Sequence, residues 1–249
     1  MKKEKQFNNF RNYISDNIIN FFSKEMKDKF EIYLFELVEW NKILNLISFK
    51  NEEDIIYRHF CDSLYSAKII NSICNQYSAV KVADIGTGSG MPGIPVKIVL
   101  PNIRLTLIES INKKCKFLEN VNDKLNLNAE ILNLRAEDAG QRQKYRQQYD
   151  FVLSRAVSKL SPNLEIAVPL LKLGGYFLVH KTRKSAEDLQ DGMPAVKNAL
   201  EQLGTELEQT IFYNLPGQKP DYCILVFKKC KDTAVQFPRK RGLPEKRPL

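Results

Sequence analysis

The stretch VADIGTGSGMPGIP, residues 82–95, constrains this chain more than any other. A short apolar run rich in β-branched residues gives way to a turn holding four glycines and two prolines. Glycine in such a turn permits left-handed backbone and lets a ligand come close to the main chain. Gly88, Gly90 and Gly93 fit G-x-G-x-x-G, whereas Gly86, Gly88 and Gly90 fit G-x-G-x-G. Spacing alone therefore leaves a nicotinamide dinucleotide and S-adenosylmethionine both open. No G-x-x-x-x-G-K-[ST] occurs, which excludes a P-loop.

Asp84 separates the two cofactors. It stands at the end of the apolar run, just before the first glycine. A carboxylate beside a pyrophosphate costs Coulomb energy. Beside the sulfonium and α-amino groups of S-adenosylmethionine it is an asset. Glu109 closes the next strand-like segment, RLTLIE, 19 residues past Gly90. An acid there is placed to accept from the two hydroxyls of a ribose, a feature that both cofactor classes share. RAED, Arg135 to Asp138, and SRAV, Ser154 to Val157, follow two further strand-like segments. Ligands of open α/β sheets bind outside the carboxyl ends of the strands. Arg155 is thereby aimed at or near the site.

The rest of the chain supplies the sheet for this loop. Residues 1–75 read as helical. Phe30, Leu34, Leu37, Val38, Ile43 and Leu44 recur at helical spacing, as do Ile56, Phe60, Leu64, Ala67 and Ile70. From about residue 80, strands and helices alternate. VKVADI, IRLTLIES, AEILN, YDFVLSRAV, YFLVHK and YCILVFKK read as strands. KKCKFLENVNDKLNL, NLEIAVPLLKL and SAEDLQDGMPAVKNALEQLG read as helices. Gly174-Gly175 is expected to stop the second helix, and the third is interrupted around Gly192 and Pro194. The alternation implies βαβ units and a mostly parallel sheet.

A formal charge of +9 attracts polyanions. Part of it is concentrated in the ending FPRKRGLPEKRPL, where Arg239, Lys240, Arg241, Lys246 and Arg247 face one acid, Glu245. Three prolines and a glycine argue against helix or strand there, so the ending is read as a flexible basic arm that contacts nucleic acid. The five cysteines form no C-x-x-C pair and there are only two histidines. This pattern favours reduced thiols in a cytoplasmic protein and speaks against a metal site. No run approaches transmembrane length, so no membrane partner is expected.

Taken together, these residues resemble the bacterial glucose-inhibited division protein B family, the small-subunit ribosomal RNA guanine-N7 methyltransferases called methyltransferase G. WNKILNL (Trp40 to Leu46), RHFCDSL (Arg58 to Leu64), DIGTGSGMPGIP, LIES, KKCKFL, RAED, SRAV, the lysine after YFLVH and the basic ending are similar to its signatures, in order. The resemblance implies an α/β, Rossmann-like class I S-adenosylmethionine-dependent methyltransferase with a mostly parallel seven-stranded sheet. It divides the chain into a helical extension over 1–75, a methyltransferase domain over 76–231 and a basic Pro-rich tail over 232–249. It implies S-adenosylmethionine as donor, 7-methylguanosine in 16S ribosomal RNA as product, and the RNA or the small ribosomal subunit as partner. A monomer is expected.

The family's cofactor contacts, carried to matching positions, fall on Gly86, Met91, Glu109, Ser110, Ile111, Ala136, Glu137 and Arg155, beside Asp84 and Gly88 from the residues themselves. Met91 stands where a leucine or phenylalanine is expected. As an apolar, flexible side chain it is expected to keep packing against the cofactor. Guanine N7 has an in-plane lone pair and no proton to lose, so no general base is needed. Arg135, Arg155 and Lys181 are accordingly assigned to the RNA backbone or guanine O6.

Trp40 and His59 are read as packing and hydrogen-bonded helix residues. Arg58 and Asp62, four apart, are read as a helix pair. If the extension folds over the cofactor cleft, Arg58, His59 and Asp62 line it. Three other functions compete: a protein or metabolite methyltransferase, an NAD-dependent oxidoreductase, and a ribosome-binding protein with a vestigial cofactor site. The basic ending opposes the first and Asp84 the second. The intact loop with Asp84 and Glu109 opposes the third.

Overall fold

A computed structural model of the chain describes residues 2–17, 22–74, 79–155, 159–182, 196–217 and 222–249. Ala156 and Val157 lie outside these, as does the predicted helix before residue 196; residues 196–203 are helical.

Helices fill the first part of the chain, at Lys2–Asn17 and Lys24–Leu44. The second starts on Ser23, whose hydroxyl accepts from the Met26 N–H, and ends on Asn45 in the left-handed conformation. Its buried face is Phe30, Tyr33, Leu34 and Leu37, at the i, i+3, i+4, i+7 spacing of one helix face. A third run passes from Glu52–Asp54 through a π-helical segment, Ile55–Cys61, into the α-helix Asp62–Ile73.

Seven strands follow: β1 (Lys81–Ile85), β2 (Arg104–Glu109), β3 (Glu130–Asn133), β4 (Tyr149–Arg155), β5 (Leu171–Thr182), β6 (Thr205–Tyr213) and β7 (Tyr222–Lys229). They form one sheet in the order β3-β2-β1-β4-β5-β7-β6. β1 to β5 are parallel, and β7 runs antiparallel between β5 and β6. The strand order reverses between β1 and β4, which opens a crevice at their carboxyl ends.

Alternate residues of the central strands feed two cores. Val82, Leu107, Phe151 and Leu153 pack with Phe30, Tyr33, Phe60 and Leu64 of the helical part. Ala83, Ile85, Val152 and Phe177 pack on the other face with Leu164, Val168 and Phe237. The first helices are thus built onto one face of the sheet.

The structure differs from the sequence reading at three places. β6, TELEQTIFY, does not read as a strand from its residues. It is an edge strand, and its acids hide the alternation that marks a half-buried strand. Gly174-Gly175 does not stop a helix. The helix ends at Ala167, and the glycines lie inside β5, beside a register shift at Tyr149/Phe151. A Cβ on Gly175 would sit 3.0 Å from the carbonyl oxygens of Asp150 and Lys172, so the close strand approach requires glycine.

The basic ending, finally, is neither free of structure nor a loose arm. Leu243–Lys246 is a short helix, and Phe237 is buried in the core. Arg239 donates to Glu165 through its backbone N–H (2.9 Å), Nε (2.8 Å) and a terminal nitrogen (2.5 Å). Arg241 forks onto Asp138. The acids that neutralise these arginines come from distant helices, which is why the local sequence reads as unbalanced charge.

Candidate functional site

The glycine loop occupies the crevice. Gly86, Gly88 and Gly90 have φ of +60°, +58° and +89°, the left-handed region that favours glycine. The G-x-G-x-G reading therefore describes the turn. Gly93 serves differently: it opens the helix Gly93–Val99, where a Cβ would meet Asp84 Oδ2 at 2.9 Å and Leu107 at 2.8 Å.

Asp84 is fully buried beneath the loop. Its Oδ2 accepts from the Gly93 N–H (2.8 Å) and the Thr87 hydroxyl (2.6 Å). Its Oδ1 is the one buried side-chain polar atom among the described residues with no hydrogen-bond partner. Burial raises the Asp84 carboxyl to about 7, against the lowering effect of Thr87, Gly93 and Arg155.

Glu109 ends β2 beside the loop and is 5% exposed. One carboxylate oxygen accepts from the Gly88 N–H (3.0 Å) and the other from the Ile111 N–H (2.8 Å). It ties the loop to the start of the next helix. Beyond it, Ser110 is half-buried and Ile111 is 48% exposed, an apolar side chain left at the mouth of the crevice. Gly86, Ser110, Arg135, Ala136 and Glu137 line a recess of about 150 Å³. Complete ligand sites span roughly 300–1,000 Å³, so this one suits a single heterocycle of a larger ligand. Met91 is buried under the loop.

The other half of the site is a buried polar cluster from the helical part. Arg155, at the end of β4, donates to Asp62 Oδ2 (3.0 Å) and to His59 Nδ1 (2.7 Å), and approaches Met91 Sδ at 3.7 Å. Asp62 Oδ1 accepts from the Tyr213 hydroxyl and lies 3.4 Å from His180 Nδ1. His180 Nε2 meets the Ser66 hydroxyl at 2.6 Å. Burial alone would raise the Asp62 carboxyl, but His180, Arg155 and the Tyr213 hydroxyl hold it well below the usual carboxylate range. Burial, with the Arg155 charge next to it, lowers His59 to about 4. Its ring is neutral at pH 7, so Nδ1 accepts from Arg155 while Nε2 faces the Ser48 carbonyl at 3.3 Å.

The structure brings Asp84, Gly86, Gly88, Met91, Glu109, Ser110, Ile111, Ala136, Glu137, Arg135 and Arg155 to the carboxyl edge of β1 to β4. It does not bring Lys181 there with Arg155. Arg155 pairs in register with His180, so these two share a face of the sheet, and Lys181, one residue on, takes the other. Nor is Arg155 a free cation for RNA, because both terminal nitrogens are engaged and its side chain is 16% exposed. Arg58 and Asp62 do not pair. Arg58 lies 3.9 Å from Asp54, and the intervening π-helical turn swings Asp62 round to Arg155.

Tyr33 is a site residue that the sequence does not announce. Its hydroxyl donates to the Ser89 carbonyl at 2.5 Å, and its ring stacks on Phe60. It reads as one more apolar position of a helix face, as does Tyr213 within an unpredicted strand. Trp40 packs edge-on against Phe117.

The chain is similar to known proteins in sequence and in fold. The family described as GidB, rRNA small subunit methyltransferase G, matches residues 26–206. A ribosomal RNA small subunit methyltransferase G of Lysinibacillus sphaericus (strain C3-41) is 38% identical, over 91% of this chain and 92% of its own length. One of Desulfitobacterium hafniense (strain Y51) is 40% identical, over 91% of each. Among solved structures, Aeropyrum pernix fibrillarin with natively bound S-adenosyl-L-methionine superposes with a TM-score of 0.50. It is 14% identical and the match covers 66% of this chain and 73% of that one, a likeness of fold.

Proposed function

The chain belongs to the family of rRNA small subunit methyltransferases G, and we propose on that footing that it transfers a methyl group from S-adenosylmethionine to N7 of a guanine in 16S ribosomal RNA. The observation that carries the cofactor is the loop-and-acid pair: three left-handed glycines, Gly88 among them tied to Glu109, over a buried Asp84 with one vacant acceptor. That set of acidic acceptors fits a cationic, phosphate-free adenosyl compound. Bound there, S-adenosylmethionine supplies an activated methyl group.

The chain's own residues do the rest by holding. Glu109 offers lone pairs to the ribose hydroxyls, and the recess by Ala136 and Glu137 takes the adenine. Asp84 Oδ1 favours the cationic methionine end. Arg155, fixed by Asp62 and His59, faces its carboxylate. Arg135, which is exposed at the rim, and the exposed Lys240, Lys246 and Arg247 meet RNA phosphates. No proton need be removed from N7, so alignment and exclusion of water carry the catalysis, and good geometry is worth roughly 7–11 kcal/mol of barrier. Extruding the guanine from its stack costs a few kcal/mol. The protein acts as a cytoplasmic monomer. No helix among the described residues is long and apolar enough to cross a membrane.

Labelled S-adenosylmethionine, incubated with small subunits from cells lacking the enzyme, should place label in 7-methylguanosine after digestion of the RNA. Label in another nucleoside, or none while the cofactor binds, overturns this function.

A pH dependence follows from Asp84. The cofactor's cations favour the carboxylate, so binding lowers a pKa that stands at about 7 in the free protein. Affinity is expected to be level above about 7 and to fall below it, approaching tenfold per unit as a proton must leave. Calorimetry about one unit either side of that value checks this, and Asp84→Asn should flatten the profile. A flat wild-type profile would place the cofactor's charges elsewhere.

A further inference from the structure

We propose that the distal part of the C-terminal segment, residues 243–249, is a wall of the adenosyl recess, so that its docking and cofactor binding strengthen one another. The proposal rests on the cofactor reading above. The recess that Gly86, Ser110 and Ala136 line is lined also by Pro244 and Glu245, more than a hundred residues along the chain.

The placement is built, not incidental. Glu165 is fully buried, and its carboxylate is met by Arg239, both main chain and side chain. A buried carboxylate without its partner is costly, so the fold presupposes a docked tail at this point. Phe237 fills the core beneath it, and Gln141 and Arg146 donate to the carbonyls of Pro238 and Phe237. These contacts make residues 237–239 a firm anchor.

Past the anchor the tail turns toward the cofactor side. Gly242, at φ +70°, gives its N–H to Glu137 Oε1 at 3.2 Å. Glu137 is one of the recess residues, so the tail is fastened to the site itself. The distal part packs through the buried Pro244 and through Leu249, but fewer side-chain hydrogen bonds hold it than hold the anchor. The Arg247 carbonyl accepts from Arg239 at 2.8 Å, and the Leu249 carbonyl from the Ser161 hydroxyl at 3.3 Å. A wall with few hydrogen bonds of its own is one that an occupant of the recess can stabilise. Coupling of this kind is reciprocal: whatever factor the wall adds to ligand affinity, the ligand adds to docking of the wall.

Two measurements test it. The first compares S-adenosylmethionine affinity, by calorimetry, of the full chain and of a chain ending at Gly242, which keeps the anchor. The shortened chain should bind about tenfold more weakly, within the usual range of coupling. The second uses the unaltered protein, so it does not depend on a variant that folds. Trypsin should release the tail by cutting after Arg241 and Lys246, and saturating S-adenosylmethionine should slow that release severalfold. Equal affinities, or release that the cofactor leaves unchanged, overturn the proposal alone. A full-length chain that does not bind S-adenosylmethionine overturns the cofactor reading, and the proposal with it.

Discussion

Asp62→Ala is expected to destabilise the fold by about 3–5 kcal/mol, the cost of stranding a buried partner charge. Arg155 is left with a neutral imidazole as its remaining partner, in a setting where its side chain is 16% exposed. The Tyr213 hydroxyl loses Asp62 as its acceptor as well and is left with His180 Nδ1 at 3.3 Å. Denaturant unfolding of the two proteins measures the loss. Asp62→Asn separates charge from hydrogen bonding, since the amide keeps an acceptor for Tyr213. The pH dependence has a definite sign. The Asp62 carboxyl is held low in the folded protein, so its contribution is present above the unfolded value of about 3.9 and is lost as pH falls through the folded value. The gap between wild type and Asp62→Asn should therefore close in acid. A variant as stable as wild type at neutral pH would mean that the cluster does not hold Arg155.

Glu109→Ala should abolish most cofactor binding, with a fall in affinity of about 100-fold or more. Hydrogen bonds to a charged group are worth about 1.5–3 kcal/mol each, and the carboxylate is assigned two from the ribose. The loss is compounded in the free protein. The N–H groups of Gly88 and Ile111 lose their acceptor, so the glycine loop loses its tie to the helix that follows β2. Glu109→Gln keeps one good acceptor and should lie between the two. Calorimetry with S-adenosylmethionine reads the affinity, and melting of the ligand-free proteins reads the loop's own share. Binding within threefold of wild type for Glu109→Ala would remove this residue from the cofactor site.

These two residues stand for two kinds of information. The glycine turn and the acid beside it are legible in the residues alone. Positive φ at Gly86, Gly88 and Gly90 and the position of Glu109 at a strand end follow from backbone sterics and from the two-residue period of a strand. Both act over a few residues, so spacing in the chain reports them. The same short-range rules make the helices of residues 2–73 and most of the parallel strands legible.

What these pieces meet depends on how the chain folds back on itself. Asp62 and Arg155 are 93 positions apart, Glu165 and Arg239 are 74 apart, and each pair exists because the strand order brings distant segments to one place. A charge cannot be read as free or paired until its neighbours in space are known. For that reason Arg239 looks like part of a basic arm and proves to be an anchor, Arg241 beside it is paired with Asp138, and Arg155 looks like an RNA contact and proves to be held. Local pattern also fails where packing overrides it. β6 is an edge strand rich in acids, and Gly175 lies where a side chain would crowd the carbonyls of Tyr149, Asp150 and Lys172. Periodicity reports the burial of one element against an average interior. It carries no record of which charge, which carbonyl or which edge supplies that interior.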